Sequence, residues 1–296
     1  MNLASRRAGF TLVELIIAIT VAGVVVGSIY RVLQGNQRFY AAQSLIIEIQ
    51  QNIRAVVQVL PGDLRELDAG DGDIIAMSDT AITIKAMRGL AVTCTAPNVG
   101  TGQVTIRNTQ TFGYRGMDAT RDSVLVFRDG NINLTADDMW LRAPIAGTAS
   151  GTCADGTAGT QLTLTGMVGG TALLGPNGTT SDQGVLLGAP LRSFEVLNYR
   201  LYNDGTGMWW LGIRNFSGGA WSSTSPIAGP LRANDGLNFQ YRDRLGNVTA
   251  VPANVAQILL TVRGRSVAPI NIPGRPSGYY EDSLSTRIAL RNNARS

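Results

Sequence analysis

Ser5-Arg6-Arg7-Ala8-Gly9-Phe10-Thr11-Leu12-Val13-Glu14-Leu15 opens an apolar run that continues to Leu33. Between Phe10 and Tyr30 the one charged side chain is Glu14. At about 1.5 Å per residue, such a run crosses the ~30 Å hydrocarbon core of a bilayer as a single helix. Arg6 and Arg7 precede it, so the positive-inside rule keeps the N-terminus cytoplasmic and sends the rest of the chain outward. A secretory signal peptide carries its small-residue cleavage site after the apolar region. Here Gly9 comes before it, and the run continues past Ala22-Gly23 and Gly27-Ser28. A plain single-span anchor gives no reason for a carboxylate close to the cytoplasmic end.

The stretch Gly9-Phe10-Thr11-Leu12-Val13-Glu14 resembles the processing site of type IV prepilins and type II secretion pseudopilins. The resemblance implies a cut between Gly9 and Phe10 by a membrane-embedded aspartyl prepilin peptidase, with methylation of the new N-terminal Phe10. Glu14 takes the place of the glutamate found near the mature N-terminus of these subunits. The likeness rests on a glycine, a phenylalanine, a glutamate at fixed offset and an apolar helix together, and covers about the first thirty residues.

A carboxylate in lipid is costly and is retained mainly where it finds a partner. In a filament, the resemblance implies that the partner is the Phe10 amine of a neighbouring subunit, so that Glu14 and Phe10 set the stagger between subunits. Such a pair fixes register more than it adds stability. The alternative is that Glu14 snorkels toward the headgroups.

Composition narrows the function. The 296 residues have room for a membrane helix plus one large or two small globular domains. Loss of residues 1–9 removes Arg6 and Arg7 and lowers the net charge from +4 to +2. That balance, and the lack of a basic cluster with interleaved aromatics along the chain, makes nucleic acid an unexpected partner except through DNA binding at a filament tip. The chain has no histidine, which excludes Ser-His-Asp and Cys-His nucleophile sites and histidine-bearing zinc sites. No nucleophile elbow, P-loop or glycine-rich dinucleotide turn is present, so neither enzyme activity nor a cofactor is expected. Cys94 and Cys153 follow the membrane span, mature in an oxidising compartment and can pair; two separate buried thiols are the alternative.

Downstream of the span, Leu45, Ile46, Ile49, Ile53, Val56, Val57 and Leu60 recur mostly at three- and four-residue steps, and Pro61-Gly62 is read as the stop. The reading is one helix over residues 10–60, about 76 Å long: apolar all round over 10–33, striped over 34–60. Gly23, Gly27 and Gly35 suit close helix approach. Residues 61–296 change to short β-patterned segments with turn signals, either one extended sheet or two subdomains, about 61–167 and 185–296. The segments 73–77, 81–94, 123–127, 161–164, 194–202, 208–213, 237–242, 255–262 and 285–290 read as strands. Residues 147–160 and 169–184, rich in small and polar side chains, read as exposed loops. The fold class expected is α+β: a long N-terminal helix packed on an antiparallel β-sheet head, pilin-like.

The size and the runs Asp71-Gly72-Asp73-Ile74-Ile75 and Gly236-Leu237-Asn238-Phe239-Gln240-Tyr241-Arg242-Asp243 resemble the larger minor subunits, J-type minor pseudopilins and PilW-like minor pilins. That resemblance implies a role in priming or capping a filament. Its partners would be prepilin peptidase, other minor and major pilins or pseudopilins and an inner-membrane assembly platform. The chain would start as a single-pass inner-membrane protein with its head outside the cytoplasm and end in a pilus or pseudopilus. A tip module recognising a surface, a secreted substrate or DNA is the alternative. Two acidic turns, Asp68/Asp71/Asp73 and Asp137-Asp138, are weak calcium candidates, since some pseudopilins bind calcium and neither turn has EF-hand spacing. Tyr199, Tyr202, Trp209, Trp210 and Trp221 crowd one region, partly core and partly a candidate binding patch, with Trp209 and Trp210 on opposite faces of a strand.

Overall fold

The computed structural model describes residues 11–98, 100–113, 115–131, 133–167, 184–270 and 276–291. The first element is a single helix, α1 (Leu12–Arg65). At ~1.5 Å per residue its length is about 81 Å. Thr11 caps it from an extended conformation. Side chains stay exposed through the first half; Ala42, Ile49, Ile53, Val56, Leu60 and Leu64 then form a buried stripe at helical spacing.

The helix does not stop at Pro61. It continues one turn to Arg65, with Pro61 inside it, which corrects the end expected at residue 60. Proline removes the N–H that would meet the Val57 carbonyl and crowds that carbonyl, at a cost of about 3 kcal/mol. Tertiary contacts offset this. Pro61 and Leu64 are buried, and Asp63 is tied to the sheet by Arg88 (3.0 Å) and by the Tyr199 hydroxyl, which donates to it at 2.6 Å.

Among the described residues fourteen strands follow: β1 (Ile74–Met77), β2 (Ala81–Val92), β3 (Gln103–Arg107), β4 (Phe112–Gly113), β5 (Asp122–Arg128), β6 (Met139–Thr152) and β7 (Ala158–Leu164) precede β8 (Pro190–Asn203). After it come β9 (Trp209–Ser217), β10 (Ala220–Trp221), β11 (Ser225–Leu231), β12 (Leu237–Arg242), β13 (Gln257–Arg265) and β14 (Glu281–Ala289). They form one antiparallel sheet ordered β12-β13-β11-β9-β8-β5-β6-β7-β3, with β2 along β8, β1 on β2 and β14 on β13. A long N-terminal apolar helix packed on a multi-stranded antiparallel sheet is the pilin-like α+β architecture.

Strand β8 organises the head. One edge pairs with β2 along its length; the other is shared, residues 191–195 with β5 and 196–203 with β9. Under α1, Ile82, Ile84, Leu197, Tyr199, Leu260, Val262 and Ile288 close a first core over the helical stripe. A second core gathers Val104, Ile106, Val124, Val126, Ile145, Leu162, Leu164 and Leu191. β2 and β8 each contribute to both cores, Ile84 and Leu197 to the first, Ala91 and Leu191 to the second.

The expected loop at residues 147–160 is a hairpin instead. β6 runs through Thr152, a turn at 153–157 follows, and β7 begins at Ala158. Its residues are small because the backbones crowd there. A Cβ on Gly159 would lie 2.8 Å from the Ile106 carbonyl oxygen and 3.2 Å from Cys153 Sγ. Small side chains leave no apolar alternation to read, so the ladder itself carries the strands. β3 and β11 were also outside the strands read from pattern, β11 because Pro226 and Pro230 argue against a strand. Of the loop read at 169–184, residues 168–183 lie outside the described residues.

Candidate assembly and anchoring site

The N-terminal half of α1 makes no packing contact with the head: from Leu12 to Ala41 no residue is buried. Leu12 is 75% exposed and Val24 70%. The segment is long and apolar enough to cross a membrane. Its threonine and serine hydroxyls are satisfied internally, Thr20 donating to the Ile17 carbonyl at 2.9 Å and Ser28 to that of Val24 at 2.8 Å. Such back-bonding removes their demand for water, which suits a helix in lipid or in the dry centre of a helical bundle. A Cβ at Gly23, Gly27 or Gly35 would meet nothing within 4 Å, and Gly23 and Gly27 share one face at a spacing that lets a second helix approach closely.

Glu14 sits in the first turn as half of a capping box. Its N–H donates to Thr11 Oγ1 (3.3 Å), while its Oε2 accepts from the Thr11 amide and hydroxyl, both at 3.0 Å. Thr11-Leu12-Val13-Glu14 is the T-x-x-E pattern of a capping box, a local signal that lies inside the motif itself. A carboxylate near a helix N-terminus also meets the positive end of the helix dipole. Gly9 and Phe10 lie outside the described residues, so the geometry begins one residue after the expected cut.

Cys94 and Cys153 are joined in a disulfide with a Cα–Cα distance of 5.0 Å. It fastens the end of β2 to the end of β6 beside the second core.

The acidic turn is organised by the protein's own groups. Asp68 Oδ1 accepts the amides of Gly70 and Asp71, Asp73 Oδ2 accepts that of Asp68, and Lys85 Nζ lies 3.7 Å from Asp73 Oδ1. Burial pushes the Asp73 carboxyl up and the Lys85 ammonium down, so desolvation outweighs their mutual attraction. Lys85 supplies the positive charge in this turn. Asp137 closes a different loop, accepting the Asn131 amide at 3.0 Å. Among the described residues no group of three acidic, cysteine or histidine side chains is placed to hold a metal ion.

The aromatic cluster divides. Tyr199 is buried beneath α1, with its hydroxyl pushed above the usual tyrosine range by burial and by the Asp63 charge. Trp209 packs against the first core, whereas Trp210 donates its indole N–H to Asp204 at 2.9 Å. Trp221 is 37% exposed.

One site has no counterpart in the sequence reading. The β2–β8 register slips between Met87 and Gly89, and the extra residue, Arg88, turns toward the helix, to Asp63 (3.0 Å) and Glu195 (3.1 Å). Burial works against the Arg88 charge, but those two carboxylates outweigh it and hold its pKa above the ordinary arginine value. Arg115 extends the chain of charges to Glu195 and Asp122. The network locks the last turn of α1 to the sheet.

Residues 4–30 match the family model of the prokaryotic N-terminal methylation motif. No curated protein and no solved structure matches the chain.

Proposed function

We propose that the chain is a minor pilin or pseudopilin, a structural subunit that primes or caps a type IV pilus or a type II secretion pseudopilus. Prepilin peptidase cuts between Gly9 and Phe10, Phe10 is methylated, and residues 10–33 pass from the inner membrane into the filament core. The head, residues 61–296, stays outside the cytoplasm and meets other minor and major subunits, while an inner-membrane assembly platform acts on the helix. The observation that carries this reading is the exposed apolar first half of α1, whose one carboxylate, Glu14, lies inside a matched methylation motif. An 81 Å helix, about half of it bare, is a poor solution for a protein free in water and a good one for a subunit whose core is built by its neighbours.

The testing experiment is the N-terminal mass of the protein from membranes with and without prepilin peptidase. A methylated Phe10 terminus that depends on the peptidase supports the reading. An intact leader in both strains refutes it and leaves a membrane-tethered β head. Gly9→Val should leave the chain uncleaved in the membrane.

A further inference from the structure

The sheet face turned away from α1 carries a charge pattern that no stretch of the sequence contains. Side chains at Arg192, Phe194, Val196, Asn198 and Arg200 of β8 alternate with those packed under the helix. Strand pairing adds Trp140 and Arg142 from β6, Arg214 from β9 and Trp221 from β10. Arg192 lies over the Trp140 ring (5.8 Å), Arg142 over Phe194 (5.3 Å) and Arg214 over Trp221 (4.5 Å). Among the described residues Arg142, Arg192, Arg200 and Arg214 have no carboxylate within 4.0 Å, and Arg214 Nε donates to Asn198 Oδ1 at 3.0 Å, which leaves its two terminal nitrogens to the outer edge. Arg200 Nε is buried with no hydrogen-bond partner, and the Arg200 charge adds to burial in holding the Arg214 pKa down. The nearby acids are engaged: Asp73 with Lys85, Asp204 with Trp210 and Asp122 with Arg115. Where the shared edge of β8 passes from β5 to β9, an open cleft of about 460 Å³ forms, lined by Val196, Phe216 and Arg142.

We infer that this face binds single-stranded nucleic acid, through the guanidinium groups of Arg142, Arg192, Arg200 and Arg214 and the ring of Trp221. An arginine stacked on a ring keeps its N–H fork free at the edge for phosphate and its outer plane free for a base. Arg192 and Arg200 are eight residues apart on one strand, about 27 Å at ~3.4 Å per residue, a track for several nucleotides. Phe194 is buried and Trp140 packs against it, so Trp221, 37% exposed, is the ring open to a base, and cations free of carboxylates around an exposed ring are what a sequence-tolerant single-strand site requires. A sulfated polysaccharide or an acidic peptide would use the charges and leave the rings without a role. The inference stands on the head alone and holds whether or not the leader is cut.

The test uses the full chain in a neutral detergent and a fluorescent oligothymidylate, with affinity followed by anisotropy over a salt series. Binding is expected with a log–log salt slope near −3, from about 0.7 per arginine–phosphate contact. Arg192→Gln with Arg214→Gln should lower the slope by about half, and Trp221→Ala should weaken binding about fivefold or more at fixed salt. If the double variant unfolds, Arg200→Gln, at an arginine stacked on no ring, must lower the slope by about a quarter. No binding, a slope indifferent to these arginines, or equal binding of heparin or polyglutamate with no effect of Trp221→Ala overturns the proposal.

Discussion

Glu14 has partners within its own first turn, so its charge is provided for before any neighbour arrives. If its role in the proposed filament is to pair with a neighbouring Phe10 amine, charge matters more than acceptor capacity. Glu14→Gln keeps an acceptor for Thr11 and loses the charge. It should be inserted and cleaved normally but be missing from sheared filaments; incorporation at wild-type level would count against the pairing. Asp155 offers a pH test at the same scale. Its carboxyl accepts from the Thr157 hydroxyl and amide and meets Arg107 at 2.7 Å, which holds its pKa near 2, below the usual ~3.9 of aspartate. A depressed native pKa adds stability above the unfolded value and loses it as the pH falls toward 2. The advantage of wild type over Asp155→Asn in urea unfolding should therefore be present at pH 5 and largely lost by pH 2. The methylation motif of residues 4–30 was legible because a pattern at fixed offset is local; Arg88 was not, since its role comes from a bulge that only strand pairing creates.

At the scale of elements, the close seat of α1 on the sheet depends on one glycine. A Cβ at Gly264 of β13 would lie 2.6 Å from Ile49 Cγ2 and 3.0 Å from Ile53 Cδ1. Ile49 branches at Cβ and is stiff in a helix, so it has little room to yield. Gly264→Val should cost about 1–3 kcal/mol, measured by urea unfolding of the detergent-solubilised chain, with an unchanged midpoint as the contrary result. The sequence disclosed those elements whose apolar residues keep a period: the stripe of α1 and the branched and aromatic strands β8, β12 and β13. It concealed β6 and β7, where glycine, threonine and alanine carry no contrast between faces, and it ended α1 early because proline's local penalty was counted without the burial of Pro61 and Leu64.

On the scale of the whole molecule, the two larger cores share β2 and β8, and only the first of them touches α1. The disulfide belongs to the second, closing a separation of 59 residues. Cys94→Ser with Cys153→Ser should lower stability by about 2–4 kcal/mol, read as a drop in the urea midpoint, and an unshifted midpoint would show the bridge to be dispensable. The arrangement of cores could not be read from the chain, and neither could the cationic face, whose residues come from four strands between positions 140 and 221 and meet only across ladders. Among the described residues, most of the contacts between α1 and the sheet fall on β2, β11, β13 and β14, with Tyr199 of β8 bonded to Asp63. Mechanically, the head is therefore suspended from one rod. Tension along that rod enters through those strands, while the disulfide-closed lobe hangs from β2 and β8 as a side load. Reducing the bridge would slacken the lobe and leave the suspension itself under full tension.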